Sequence, residues 1–188
     1  MRYLDIKQVG AALKVAYKKN RRDHLMLLLS FNHGLRASEI ANLRIGDVSG
    51  GRIRVARVKG SLLTVQPLVV NKNPLFDEPK ALATWMEIRP ATTDALFPSR
   101  KGKGTLRADS VGKMAVYYLE KAGVPADLAH HHIFKHSIAS LMIRGGVDLA
   151  FVKSHLGHAS ISSTIHYTNI QDFEATEKAQ AVIQKALE

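Results

Sequence analysis

The sequence predicts an α+β domain, mainly helical, carrying one small antiparallel sheet. Three observations lead there. Over most of the chain apolar residues recur at a helical period. Between about residues 52 and 69 the period falls to two. The 188 residues, 46% of them hydrophobic, are enough for one well-packed core and short for two.

The elements follow in order. Ile6, Val9, Leu13 and Ala16 mark an amphipathic helix over 5–19. A second runs from about Arg22 to Asn32, with Gly34 as its C-terminal stop. A short third helix spans Ser38 to Leu43. Then Ile53, Val55 and Arg57 alternate with Arg52, Arg54 and Val58, and Leu63, Val65 and Val69 continue the pattern. This predicts strands joined by a turn near Lys59-Gly60-Ser61. Pro79 to Ile88 reads as helix, with Pro79 in its first turn and Pro90 closing it. Ala95-Leu96-Phe97 is extended, and Arg100 to Gly104 is a basic turn. Helices are expected over about 107–122, 132–144, 148–155, 160–167 and 173–187, interrupted at Gly123, Gly145-Gly146 and Gly157. Trp85, Tyr117 and Tyr118 lie on apolar stripes and are expected in the core.

A net charge of +11 and a sequence pI near 10.0 point to a polyanionic partner, nucleic acid first; the plainer alternative is a basic but inert surface. The absence of cysteine excludes disulfides, thiolate metal sites and thiol nucleophiles. The longest apolar run, Leu25 to Leu29, is far too short to cross a bilayer, and no signal peptide is visible. A soluble, cytoplasmic, nucleoid-associated protein is expected, without a membrane partner.

Six residues stand out for chemistry. Arg36 falls in the corner between two helices, beside N-terminal amides, where a guanidinium and backbone donors can converge on a phosphate; pairing with Glu39 is the plainer reading. Lys59, at the tip of a basic hairpin, is either a general acid or a solvated turn lysine. His132 and Lys135 share a helical face, and His158 follows a glycine helix stop. His132 and His136 have a zinc-like spacing, but no glutamate or cysteine completes a ligand set, so no metal is expected. Tyr167 is a weak nucleophile at its ordinary pKa of about 10 and becomes useful where cations gather around its target. Arg44, Arg57, Lys72, Arg107 and Lys113 are candidates for contact with a DNA backbone.

Taken together, these residues resemble the catalytic domain of the tyrosine recombinases, the phage integrase family. Gly34-Leu35-Arg36-x-Ser38-Glu39-Ile40 looks like the family's first arginine motif, and Val58-Lys59-Gly60 like its hairpin lysine. His132-x-x-Lys135-His136-Ser137 is similar to its His-x-x-Arg-His-Ser/Thr box. Leu156-Gly157-His158, with Ser163-Thr164 and Tyr167 at the expected distance, looks like the terminal motif. Phe31-x-His33-Gly34 and Trp85-x-x-Ile88-Arg89 are similar to the short recombinases that invert fimbrial promoter segments.

The resemblance implies a site-specific recombinase that cuts and rejoins DNA through a 3′-phosphotyrosine on Tyr167, in integration, excision or inversion. Arg36, Lys135, His132 and His158 would surround the phosphate, and Lys59 would protonate the leaving oxygen, with no cofactor, ATP or metal. The partners implied are a double-stranded recombination site and further copies of the chain, as a tetramer on DNA and a monomer or weak dimer free, with room for accessory DNA-bending proteins. Residues 1–172 would form the catalytic domain, without the family's N-terminal core-binding domain, and 173–188 a C-terminal helix, either exchanged with a neighbouring copy or packed on its own domain. One departure matters: Lys135 stands where the family has an arginine, and lysine lacks the planar two-pronged grip on phosphate oxygens. A catalytically weakened or inactive DNA-binding relative is therefore the alternative reading.

Overall fold

The computed structural model describes residues 2–57, 63–99, 104–158 and 184. Seven helices and a three-stranded sheet are arranged among them. α1 (Ile6–Lys19) starts at Asp5, whose carboxylate accepts the Gln8 N–H at 2.8 Å while the Gln8 side chain accepts the Asp5 N–H at 3.1 Å. It buries Val9, Ala12, Leu13 and Ala16; Ile6, also marked by the periodicity, sits in the first turn and is half exposed. α2 (Arg21–Asn32) begins where the Asn20 side chain caps the Arg22 N–H at 3.0 Å. Leu25 to Leu29 are all buried, so α2 is apolar around its circumference and forms the axis of the core. α3 (Ala37–Asn42) follows the corner at Gly34, and a 3-10 turn spans Ile45–Asp47.

The sheet is smaller than its alternation suggested. β1 (Val48–Ser49) pairs antiparallel with β2 (Arg52–Val55), which pairs antiparallel with β3 (Thr64–Pro67), in the order β1-β2-β3. β1 has two residues, too few for a periodic signal, and was not expected. In β2 the inward phase is Ile53 and Val55, and the same phase continues to Arg57, which is buried. In β3 the alternation is inverted: Leu63 and Val65 are exposed, whereas Thr64 and Gln66 are buried. A one-residue choice of phase turns every side chain to the other face. Here it is set by polar partners inside, described below, rather than by apolar burial.

α4 (Glu78–Ile88) carries Pro79 in its first turn and is capped by Asp77. The buried Trp85 donates its indole N–H to the Leu96 carbonyl at 2.9 Å, anchoring the 95–97 segment, where Ala95 bridges Arg44. On α5 (Ala108–Lys121) the two tyrosines part. Tyr118 is buried and its hydroxyl donates to Asp23 at 3.0 Å, while Tyr117 is 37% exposed and accepts from Lys19, a correction to its expected core position. Neighbours on a helix point about 100° apart, so one apolar stripe cannot bury both. α6 (Ile133–Arg144) packs on α2, and α7 (Leu149–Leu156) packs on α6. The hairpin tip with Lys59, residues 100–103, and the helices expected over 160–167 and 173–187 lie outside the described residues. Among the described residues no helix is long and apolar enough to cross a membrane.

Gly34 brings these layers together. Its φ is +58°, and a Cβ there would stand 2.5 Å from Leu156 Cδ2 and 3.6 Å from Lys135 Cγ. Backbone strain and crowding act in the same direction, so Gly34→Ala is expected to lower the unfolding free energy by about 1–3 kcal/mol, read from the midpoint of urea denaturation.

Candidate active site

The corner between α2 and α3 presents Arg36 at the helix start. Glu39, one turn on, accepts the Arg36 backbone N–H at 2.8 Å and its guanidinium at 3.0 Å. The Arg36 side chain keeps 28% of its surface open, while the Glu39 carboxylate has none. The second partner of Glu39 is Arg57, also fully buried, at 3.2 Å. Burial pushes the Glu39 carboxyl up, but the Arg36 N–H and the charges of Arg57, Lys135 and Arg36 outweigh it and hold the group below its usual range.

Arg57 was expected to touch DNA; the structure corrects this. Its guanidinium is spent inside the protein, on the carbonyls of Gly34 at 3.3 Å, His33 at 3.0 Å and His155 at 2.9 Å, on the Thr64 hydroxyl at 3.1 Å, and on Glu39. The inward phase of β2 delivers it there. Burial lowers its proton affinity and Glu39 restores part of it.

Lys135, on the first turn of α6, is 1% exposed and donates to the Leu156 carbonyl at 2.9 Å. Burial, then Arg57 and Arg36, lower its ammonium to about 7, against the opposing pull of Glu39. His158 is buried just past Gly157, whose φ of +65° turns the chain at the end of α7. Its imidazole is pushed down to about 4 by burial, then by Lys135, Arg36 and Arg57. His132, exposed at the N-cap of α6, is pushed down to about 4 by desolvation of its inner side, then by His136, Lys135 and Arg36. Four sequence-predicted residues, Arg36, His132, Lys135 and His158, thus come from three separate segments into one electrostatic cluster. Tyr167 and Lys59, the remaining two, lie outside the described residues.

Two polar residues beside these have structural partners. The Ser137 hydroxyl donates to the Ile133 carbonyl at 2.7 Å and accepts the Leu4 N–H at 2.9 Å, tying the start of the chain to α6. Buried His131 bonds Ser30 at 3.0 Å. The rings of His132 and His136 meet edge to face at 4.5 Å, and among the described residues no group of three potential ligands is placed to hold a metal.

The remaining candidates for DNA contact are exposed. Arg107 and Lys113 line a cleft of about 710 Å³ with Lys19, Arg22 and Tyr117, and Lys113 pairs with Asp109 at 2.9 Å. Arg44 pairs with Asp94, and Lys72 is exposed away from that cleft's lining. Sequence reasoning missed Gln66, His33 and Glu78, which form a buried polar chain beneath the cluster. The signal available was a strand with valine and leucine in one phase and threonine and glutamine in the other.

The model of the phage integrase family matches residues 2–174. Type 1 fimbriae regulatory protein FimE of Escherichia coli K12 is 32% identical over 179 residues, covering 89% of this chain and 85% of FimE. Tyrosine recombinase XerA of Pyrococcus horikoshii is 34% identical over 173 residues, covering 89% of this chain and 58% of XerA. Among solved structures, XerA recombinase superposes with a TM-score of 0.76 at 24% identity, over 96% of this chain and 63% of that one. XerH bound to its palindromic difH substrate after cleavage gives 0.76 at 24% identity, over 94% of this chain and 51% of that one. At such identity these structures speak for the fold, and the chain spans at most about two thirds of their length.

Two expectations follow from the cluster. Glu39→Gln leaves Arg57 buried without a counter-charge and is expected to cost about 3–5 kcal/mol. In chemical denaturation the double variant with Arg57→Met should lose less than the two single losses summed. The second concerns pH. Lys135 is depressed in the folded state, so between about pH 7 and the ordinary lysine range the unfolded chain binds more protons and stability rises with pH. Denaturation midpoints at pH 7 and pH 9 should show the wild type gaining on Lys135→Met; parallel behaviour of the two would contradict the burial of that charge.

Proposed function

The chain belongs to the phage integrase family, and on that premise we propose that it is a site-specific tyrosine recombinase, cutting and rejoining DNA strands through a 3′-phosphotyrosine on Tyr167. The observation that carries the reading is the convergence of Arg36, His132, Lys135 and His158 on one cluster whose positive charge, among the described residues, exceeds that of its one carboxylate, Glu39. Such a cluster is made for an anion.

In the cleavage step the Tyr167 oxygen bonds to phosphorus as the bond from phosphorus to the 5′ oxygen breaks. The phenol proton passes to His132, and Lys59 supplies a proton to the departing 5′ oxygen. Arg36 and Lys135 face the non-bridging oxygens, where charge accumulates, with His158 donating beside them. His132 and His158, held neutral by their surroundings, can each take or share a proton. An anionic phosphate entering the cluster raises the proton affinity of all three titratable groups, restoring charge to Lys135. The covalent bond conserves the energy of the phosphodiester, and attack by a second 5′-hydroxyl reverses the step on a new strand. Double-stranded DNA, engaged by Arg44, Lys72, Arg107 and Lys113, is the partner. A tetramer on DNA is the working assembly, in keeping with the lambda integrase tetramer bound to a Holliday junction, which shares the fold with a TM-score of 0.66.

A second reading, a weakened relative that binds DNA with little cleavage, is favoured by one observation. Lys135 is buried and its ammonium is already committed to the Leu156 carbonyl. Both readings meet in one assay, in which the protein is incubated with suicide substrates drawn from DNA flanking its gene. A covalent adduct absent from Tyr167→Phe is expected, formed about 10-fold faster or more by Lys135→Arg. Binding without any adduct would favour the weakened relative, and a slower Lys135→Arg would mean that the pocket has adapted to lysine.

A further inference from the structure

The C-terminal end of α7 leaves carbonyls that the helix itself cannot satisfy. Three side chains from three other segments meet them. The Gln66 amide donates to the His155 carbonyl at 2.6 Å, Arg57 donates to the same oxygen at 2.9 Å, and Lys135 donates to the Leu156 carbonyl at 2.9 Å. Beyond them Gly157 turns left-handed, and the His158 N–H returns to the Lys153 carbonyl at 3.0 Å. A Cβ on Gly157 would stand 2.7 Å from Arg57 Cγ, so this corner is packed directly on the side chains that hold it.

Of the three donors Gln66 alone carries no titratable charge, and its orientation is fixed from behind. Because its nitrogen faces a carbonyl, its oxygen faces His33, whose Nδ1 donates to it. The other ring nitrogen of His33 meets the Glu78 carboxylate at 3.0 Å. Glu78 is in turn held by the Asn32 amide at 2.9 Å and the Val69 N–H at 2.7 Å. His33 also stacks on His155 with ring centroids 6.4 Å apart, and His155 Nε2 bonds the Asn32 carbonyl at 2.8 Å. Glu78, His33 and Gln66 are all buried. The chain of contacts runs from α4 through α2 and β3 to the end of α7.

We propose that Gln66, oriented by His33 and Glu78, is a positioning residue for strand cleavage: it holds the end of α7, and through it His158, while Lys135 turns from the Leu156 carbonyl to the phosphate. This rests on the recombinase reading above. Lys135 has a limited set of donors, and one is engaged on the helix end. A neutral donor on the adjacent carbonyl keeps that end in place without adding to the repulsion among the cations, and it has no charge to be drawn toward DNA.

The test uses the full chain with Gln66→Met, which keeps length without the amide, and Gln66→Glu, which keeps the acceptor facing His33 but sets an acceptor against the His155 carbonyl. Three quantities are read: affinity for recombination-site DNA, the rate of Tyr167-dependent adduct formation, and amide hydrogen exchange over residues 154–158. Affinity is expected within about threefold of wild type, cleavage about 10-fold slower or more, Gln66→Glu at least as impaired as Gln66→Met, and exchange at Gly157 and His158 about 10-fold faster. Wild-type cleavage rates in both variants, unchanged exchange at the end of α7, or binding and cleavage falling by the same factor would each overturn the proposal. If the wild type itself forms no adduct, the recombinase reading fails, and the exchange measurement still decides whether Gln66 holds this corner.

Discussion

The Glu39 carboxylate has no exposed surface, yet Arg36, Arg57 and Lys135 all act on it. Moving such a group out of water costs several kcal/mol unless its lone pairs are met in good geometry. Here they are met by a backbone N–H and by two guanidinium groups, one partly open and one fully enclosed. The open guanidinium belongs to Arg36, so the carboxylate aims the one arginine of this trio that solvent, and hence a phosphate, can reach. The rest of the site is arranged around that constraint. Arg57 can be buried because Glu39 is there, and because it is buried it can reach the carbonyls of His33, Gly34 and His155.

A cluster of this kind must limit its own repulsion. The histidines do so by remaining neutral: His131, His132 and His158 are all lowered to about 4, first by desolvation; His136, Lys135 and Arg36 add to the shift at His132, Lys135, Arg36 and Arg57 add to it at His158, and Glu39 opposes it at His131 and His158. Lys135, lowered to about 7, sits between charged and neutral. An anion arriving beside these groups would favour their protonated forms. The cationic donors at the end of α7 also oppose the negative end of its dipole, so the same charges serve the fold and the site.

The helices were legible because their signals are local. Asp5, Asn20, Asp77 and Asp148 cap them, and glycines at 34 and 157 turn the chain where only a small residue fits. The site motifs were legible for a related reason, since Arg36, His132, Lys135 and His158 each occupy a helix end or first turn whose position local signals give. Arg57 was misplaced because its meaning depends on the phase that the chain carries on from β2, and an extended segment that buries an arginine looks the same in sequence as one that exposes it. Gln66 went unread because the alternation in β3 is inverted, with Leu63 and Val65 outward at 52% and 54% exposure. The rule that apolar residues face inward yields there to the polar demands of Arg57 and of the end of α7. Tyr117 was misplaced because adjacent residues on one helix cannot share a face.

The sequence by itself determined the fold class, the order and rough bounds of the described helices, the basic character and the motif set, because these depend on spacing over a few residues and on composition. Tertiary structure decided which cation keeps open surface and which is consumed within, and which polar residues of the sheet turn inward to meet the end of α7. Those outcomes depend on partners distant along the chain, Glu39 with Arg57, Lys135 with Leu156 and Gln66 with His155. A buried charge or a bare carbonyl takes whichever partner folding brings within about 3 Å, and local spacing carries no record of that distance.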